Sequence, residues 1–209
     1  MWRPGDLGLL DDAIDEIASD RGLRITWYVM IVVFGLSALL VAMFYNAIIS
    51  SFTGQLLLNQ TQQIRQIAAY VKMTGWTYAA LPIIIFLKNS LTDLLVYSLL
   101  VTLVIPVAVL IFNGGLVGFV TELTLPVHGN PLVIFYLLAP HGVIEIPAFT
   151  LTAASLSLIR RGVGSMYSKG FALLVLSISM LVIAAIVEST LTLGSGALVN
   201  ILTGAAREV

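Results

Sequence analysis

The chain has 209 residues, 59% of them hydrophobic and 10% charged, with a net charge of −1 and a mean hydropathy of +1.03. Soluble domains run near about 45 to 50% apolar and 25% charged, so this composition specifies a polytopic, all-α transmembrane helical bundle in a lipid bilayer. The lack of cysteine excludes disulfides, thiolate metal sites and a Cys nucleophile, and the near-zero charge excludes a nucleic-acid footprint.

Residues 1–26 read as a cytoplasmic acidic amphipathic segment. Asp6, Asp11, Asp12, Asp15, Glu16 and Asp20 crowd its first twenty positions, while Leu10, Ile14 and Ile17 share one helical face. That acidity, followed by an apolar run too long for an h-region, argues against a signal peptide. The bundle is expected over 27–193. Its first span, 27–49, carries no charge and suffices to cross a hydrocarbon core about 30 Å thick, with Trp27, Tyr28 and Tyr45 as interfacial anchors. Residues 50–78 are polar and partly helical, an excursion outside the core. Residues 79–121 are too many for one span and are interrupted by Lys88, Asn89, Asp93, Pro106 and Asn113-Gly114-Gly115.

Arg3, Arg21 and Arg24 place the N-terminus in the cytoplasm, and Arg160, Arg161 and Lys169 place the loop before the last span there too. That parity divides 79–121 into two membrane elements, 80–98 and 99–121, with short or broken helices. Spans over 132–159 and 171–193 bring the total to about five, followed by a tail over 194–209. A multi-pass protein of a prokaryotic cytoplasmic membrane is the expectation.

The densest chemistry lies in Pro140-His141-Gly142-Val143-Ile144-Glu145-Ile146-Pro147. Pro140 suits the first turn of a helix, and i, i+4 spacing stacks His141 and Glu145 on one face. Pro147 cannot bond back to Val143, which frees a carbonyl beside the pair. A metal-ligand pair, an acid/base couple and a proton relay are the functional readings. One His and one carboxylate fall short of a zinc site, and the other histidine, His128, is expected in a loop. A structural role therefore weighs more, with Glu145 bonding a neighbouring helix and His141 orienting it. No cofactor or metal is assigned.

Asn89 and Asp93 also share a face at i, i+4, flanked by Lys88, and Asn113 and Glu188 are further polar groups in apolar surroundings. Gly114 and Gly118, four apart, permit close helix packing. Ser155, Ser157, Ser165 and Ser168 lack a nucleophile motif and are expected to bond helix carbonyls.

Taken together, these residues resemble the stage II sporulation protein M family. The resemblance rests on 86–89 ahead of a membrane helix, Asn113-Gly114 with Gly118, Pro140-His141-Gly142 with Glu145 and Ala148, and Glu188 late in the last span. It covers most of 27–193. Where that family commonly has paired asparagines, this chain has Asn89-Ser90. The resemblance implies a five-span integral membrane protein, and the sporulation member is associated with a membrane complex that localises peptidoglycan-degrading proteins during engulfment. The expected function is a non-enzymatic membrane scaffold or assembly factor with a protein partner or homodimer surface. Asn89, Asp93, Asn113, His141, Glu145 and Glu188 would form its buried polar network. The alternatives are an intramembrane metal-dependent hydrolase using His141 and Glu145, and a small solute or ion conduit.

Overall fold

The computed structural model describes residues 8–73, 77–128 and 131–202, without the side chains of 64–65, 67–82, 85, 124–141 and 188–202. In these segments the elements are α1 (Gly8–Ser19), α2 (Arg21–Met43), α3 (Tyr45–Ile49), α4 (Phe52–Met73), α5 (Thr77–Ser98), α6 (Val104–His128), α7 (Pro131–Ala154) and α8 (Val163–Leu202). Tight 3-10 turns over Leu100–Thr102 and Ser155–Arg161 follow α5 and α7. No strand occurs among the described residues.

Local chemistry sets the helix boundaries. Asp20 is extended (φ −94°, ψ 100°) and accepts the Leu23 N–H at 3.0 Å, so it ends α1 and caps α2. Between α3 and α4, Ser51 Oγ accepts the Gly54 N–H at 3.1 Å. A Cβ on Gly54 would lie 2.0 Å from the Ile48 carbonyl oxygen, so this reversal admits only glycine. Between α5 and α6 the chain turns at Leu103, whose φ of 60° is costly for a residue with a Cβ. Pro106 falls in the first turn of α6, where no intrahelical N–H bond is lost.

The helix containing the histidine motif differs from the expectation. Its first residue is Pro131, which takes the position suited to proline. The helix runs unbroken through Pro140 and Pro147, so Pro140 does not start it. Membrane helices tolerate internal proline where neighbouring helices and Ser/Thr side chains satisfy the freed backbone groups. After Ala154 the chain tightens into its 3-10 turn and stops at Gly162, whose φ of 96° is left-handed and whose N–H bonds the Ile159 carbonyl at 2.8 Å.

α2 packs along α6 and α7, and α8 packs against α7, α5 and α1. The main core runs through Phe34, Val96, Leu110, Phe149, Leu151, Leu158, Met166 and Leu173. A smaller core joins Leu57, Leu116 and Phe119 to Tyr45 and Ile48, with the Tyr45 and Phe119 rings 5.1 Å apart. The opposite face of α2 presents Val29, Val32, Leu36, Leu39 and Met43 outward, each at least half exposed. In water such a stripe would be untenable; in a bilayer it is the lipid-facing surface.

α2 and α6 approach closely. A Cβ on Gly114 would lie 2.0 Å from Ser37 Oγ and 2.4 Å from the Phe34 carbonyl oxygen, and one on Gly118 would lie 2.0 Å from the Ala38 carbonyl oxygen. The two glycines are thus a flat track on which the α2 backbone rests.

Candidate functional site

Among the described residues, two polar assemblies hold the bundle together. The first lies where α1, the start of α2 and the turn before α8 converge. Glu16 and Asp20, whose side chains are 7% and 1% exposed, face Arg160, Arg161 and Lys169. Arg161 bridges both acids, at 2.5 Å to Glu16 Oε1 and 2.7 Å to Asp20 Oδ2. Arg160 pairs with Asp20, and Lys169 pairs with Glu16. Arg24 donates to the Ile17 carbonyl at 2.7 Å and also to that of Ala18, closing the end of α1. Burial pushes the Asp20 carboxyl up, but the Leu23 N–H and the two guanidiniums outweigh it and hold it below its ordinary value. Sequence reasoning used these charges for topology alone. The available signal was that acids crowd one terminus while bases crowd one loop of a charge-poor chain.

The second assembly joins α5, α7 and α8 within the apolar bundle. Asn89 Nδ2 on α5 donates to Glu145 Oε1 on α7 at 3.2 Å, and the Lys88 ammonium is near enough for its charge to attract that of Glu145. One turn further along α5, Asp93 is fully buried and meets the Ser177 hydroxyl of α8. That hydroxyl also lies 2.7 Å from the Ala148 carbonyl of α7. Past this layer, Tyr97 OH donates to the Tyr167 carbonyl at 3.0 Å and Tyr167 OH to the Ser98 carbonyl at 3.1 Å. Their rings meet edge to face at 5.5 Å, so the pair clasps the end of α5 to the start of α8. Trp27 turns inward as well: its indole N–H donates to the Pro147 carbonyl at 2.9 Å, tying α2 to α7.

Of the residues singled out from sequence, the structure brings Asn89 to Glu145 and sets Asp93 one turn away. Asn113 does not join them, because its amide bonds the Val109 carbonyl of its own helix at 2.8 Å. The side chains of His141 and Glu188 lie outside the described residues, as does that of His128. Ser177, Thr152, Tyr97 and Tyr167 were missed, since serine, threonine and tyrosine are ordinary in membrane helices and no spacing marks them.

The Asn89 to Glu145 contact makes a direct prediction. Glu145→Gln retains a carbonyl oxygen for Asn89, whereas Glu145→Leu strands that donor and the Lys88 charge. Leu should cost about 1 to 3 kcal/mol per unsatisfied group and Gln clearly less. Thermal unfolding in detergent measures both, and equal losses would show that the acceptor is unimportant.

Lipid-facing apolar helices tied internally by a few polar contacts define an integral, multi-pass membrane protein, and among the described residues four stretches are long and apolar enough to cross a bilayer: α2, Val104–Leu123 of α6, Gly142–Arg161 at the end of α7 with its 3-10 turn, and Val163–Val187 of α8. Residues 30–193 match the family model of stage II sporulation protein M, and the chain belongs to that family. No curated protein and no solved structure matches it.

Proposed function

We propose that the chain is an integral membrane scaffold or assembly factor of the cytoplasmic membrane, whose buried polar contacts fix the arrangement of α5, α7 and α8 for a membrane-protein partner or a second copy. The observation that carries this reading is the destination of the polar groups: Asn89, Glu145, Asp93 and Ser177 are engaged with neighbouring helices.

The proposed topology has five crossings, with the N-terminus and the 160–169 loop cytoplasmic. The ion pairs of Glu16 and Asp20 with Arg160, Arg161 and Lys169 support it, because they require both segments on one face of the membrane. An even number of crossings must then separate them. α2, α6 and α7 supply three, and α5 supplies the fourth, its apolarity lowered by Lys88 and Asp93. Single cysteines at Ser19, Thr102 and Ser165 should react from the cytoplasmic face and one at Ser50 from the other. Labelling of Thr102→Cys from the same side as Ser50→Cys would remove α5 as a crossing.

The functional test is extraction of the tagged chain into polymer nanodiscs directly from its own membranes. A scaffold should emerge above its 22.5 kDa monomer mass, with a defined membrane protein or a second copy. A monomer carrying a stoichiometric transition metal, lost in both His141→Ala and Glu145→Gln, would overturn the reading in favour of a metal-dependent hydrolase.

A further inference from the structure

Asp93 belongs to no ion pair among the described residues, although it is fully buried. An ionised carboxylate in such a place is costly without a compensating positive charge. Its surroundings supply oxygens. Asp93 Oδ2 and the Ala148 carbonyl both meet Ser177 Oγ. Thr152 on α7 faces the same carboxyl closely enough for its hydroxyl to favour the charge, and its Oγ1 and Asp93 Oδ1 are both buried.

A serine hydroxyl has one hydrogen, and Ser177 Oγ stands between two oxygens that only accept when the carboxyl is ionised, so it donates fully to one of them alone. Hydroxyl dipoles supply no counter-charge to a buried carboxylate. We infer that Asp93, Thr152, Ser177 and the Ala148 carbonyl form a buried site for one small monovalent cation, either a proton on the carboxyl or a sodium ion among the oxygens. With a proton, Asp93 donates to Ser177 and Ser177 donates to Ala148. With sodium, the carboxylate, two hydroxyls and a carbonyl are the hard oxygen donors such an ion takes, drawn from three helices. Binding neutralises the α5, α7 and α8 junction, and release leaves a bare carboxylate that drives these helices apart.

Other charges are accounted for. Lys88 and Glu145 attract each other one turn away on α5 and α7. Tyr97 and Tyr167 bond backbone carbonyls on the opposite side, Lys169 of α8 is held by Glu16, and Glu122 lies on α6. The side chains of Arg65, Lys72, His141 and Glu188 lie outside the described residues. The inference does not depend on the scaffold reading.

The test is thermal unfolding of the purified full chain at constant ionic strength, across pH and with sodium exchanged for N-methylglucamine. A proton site makes the wild-type melting temperature fall as pH rises, by about 3 to 5 °C per unit relative to Asp93→Asn, because the folded chain then holds a proton the unfolded chain releases. A sodium site makes it rise with sodium at fixed pH, and Asp93→Asn abolishes the rise. Ser177→Ala keeps the carboxylate but removes one oxygen, so it should weaken whichever response is seen, which retains the test if Asp93→Asn does not fold. Identical pH and sodium responses in wild type, Asp93→Asn and Ser177→Ala would overturn the site.

Discussion

Asp20→Ala should destabilise the bundle by about 2 to 3 kcal/mol. The change removes two functions of one carboxylate. The first is the cap on α2, which bonds the Leu23 N–H at 3.0 Å; losing an N-cap costs about 1 kcal/mol. The second is the counter-charge for Arg160 and Arg161, whose side chains are 46% and 38% exposed. Water therefore screens them in part, and the loss is smaller than for a fully buried pair. Asp20→Asn separates the two functions, since asparagine also caps well, and should retain roughly the cap's share. The pH dependence has a definite sign. The folded carboxyl titrates below its ordinary value of 3.8, so its stabilisation is complete above that value and is lost as pH falls through the lowered one. Acid melts followed by tryptophan fluorescence should show this slope in wild type and a flatter one in both variants. A wild-type slope retained in Asp20→Ala would assign the acid sensitivity elsewhere.

Gly118→Leu is expected to abolish a folded bundle altogether, and Gly114→Leu nearly so. Even the methyl of alanine at Gly118 would stand 2.0 Å from a backbone oxygen of α2, an atom that cannot swing aside as a side-chain end would. The helices must separate, which forfeits packing along the whole crossing and costs about 3 kcal/mol or more. The neighbouring glycines are internal controls. At Gly115 the nearest obstacle is the Val41 Cγ2 methyl at 3.2 Å, so Gly115→Ala should cost little. Nothing lies within 4 Å at Gly35, and Gly35→Ala should gain up to about 1 kcal/mol from helix propensity. Val101→Leu, at a position 53% exposed, should be silent. Yield and melting temperature in detergent rank the series, and comparable tolerance at Gly118 and Gly35 would contradict the close crossing.

The membrane class, the helical fold and the family were legible in the sequence because each follows from quantities local to the chain. Long uncharged runs can satisfy their backbone in lipid only as helices, and the acids and prolines that interrupt them stand at fixed positions. The pairing of Asn89 with Glu145 was half legible: both residues announce themselves as polar groups in apolar segments, but no spacing connects positions 56 apart. Partner choice belongs to tertiary structure. Asp20 and Glu16 meet bases about 140 to 153 residues away, Trp27 finds the Pro147 carbonyl on another helix, and Asn113 bonds its own helix. Each outcome depends on which helix faces which, a matter decided by close packing at Gly114 and Gly118 and by the cost of leaving buried charges and amides unpaired, not by any property of the residues taken in order.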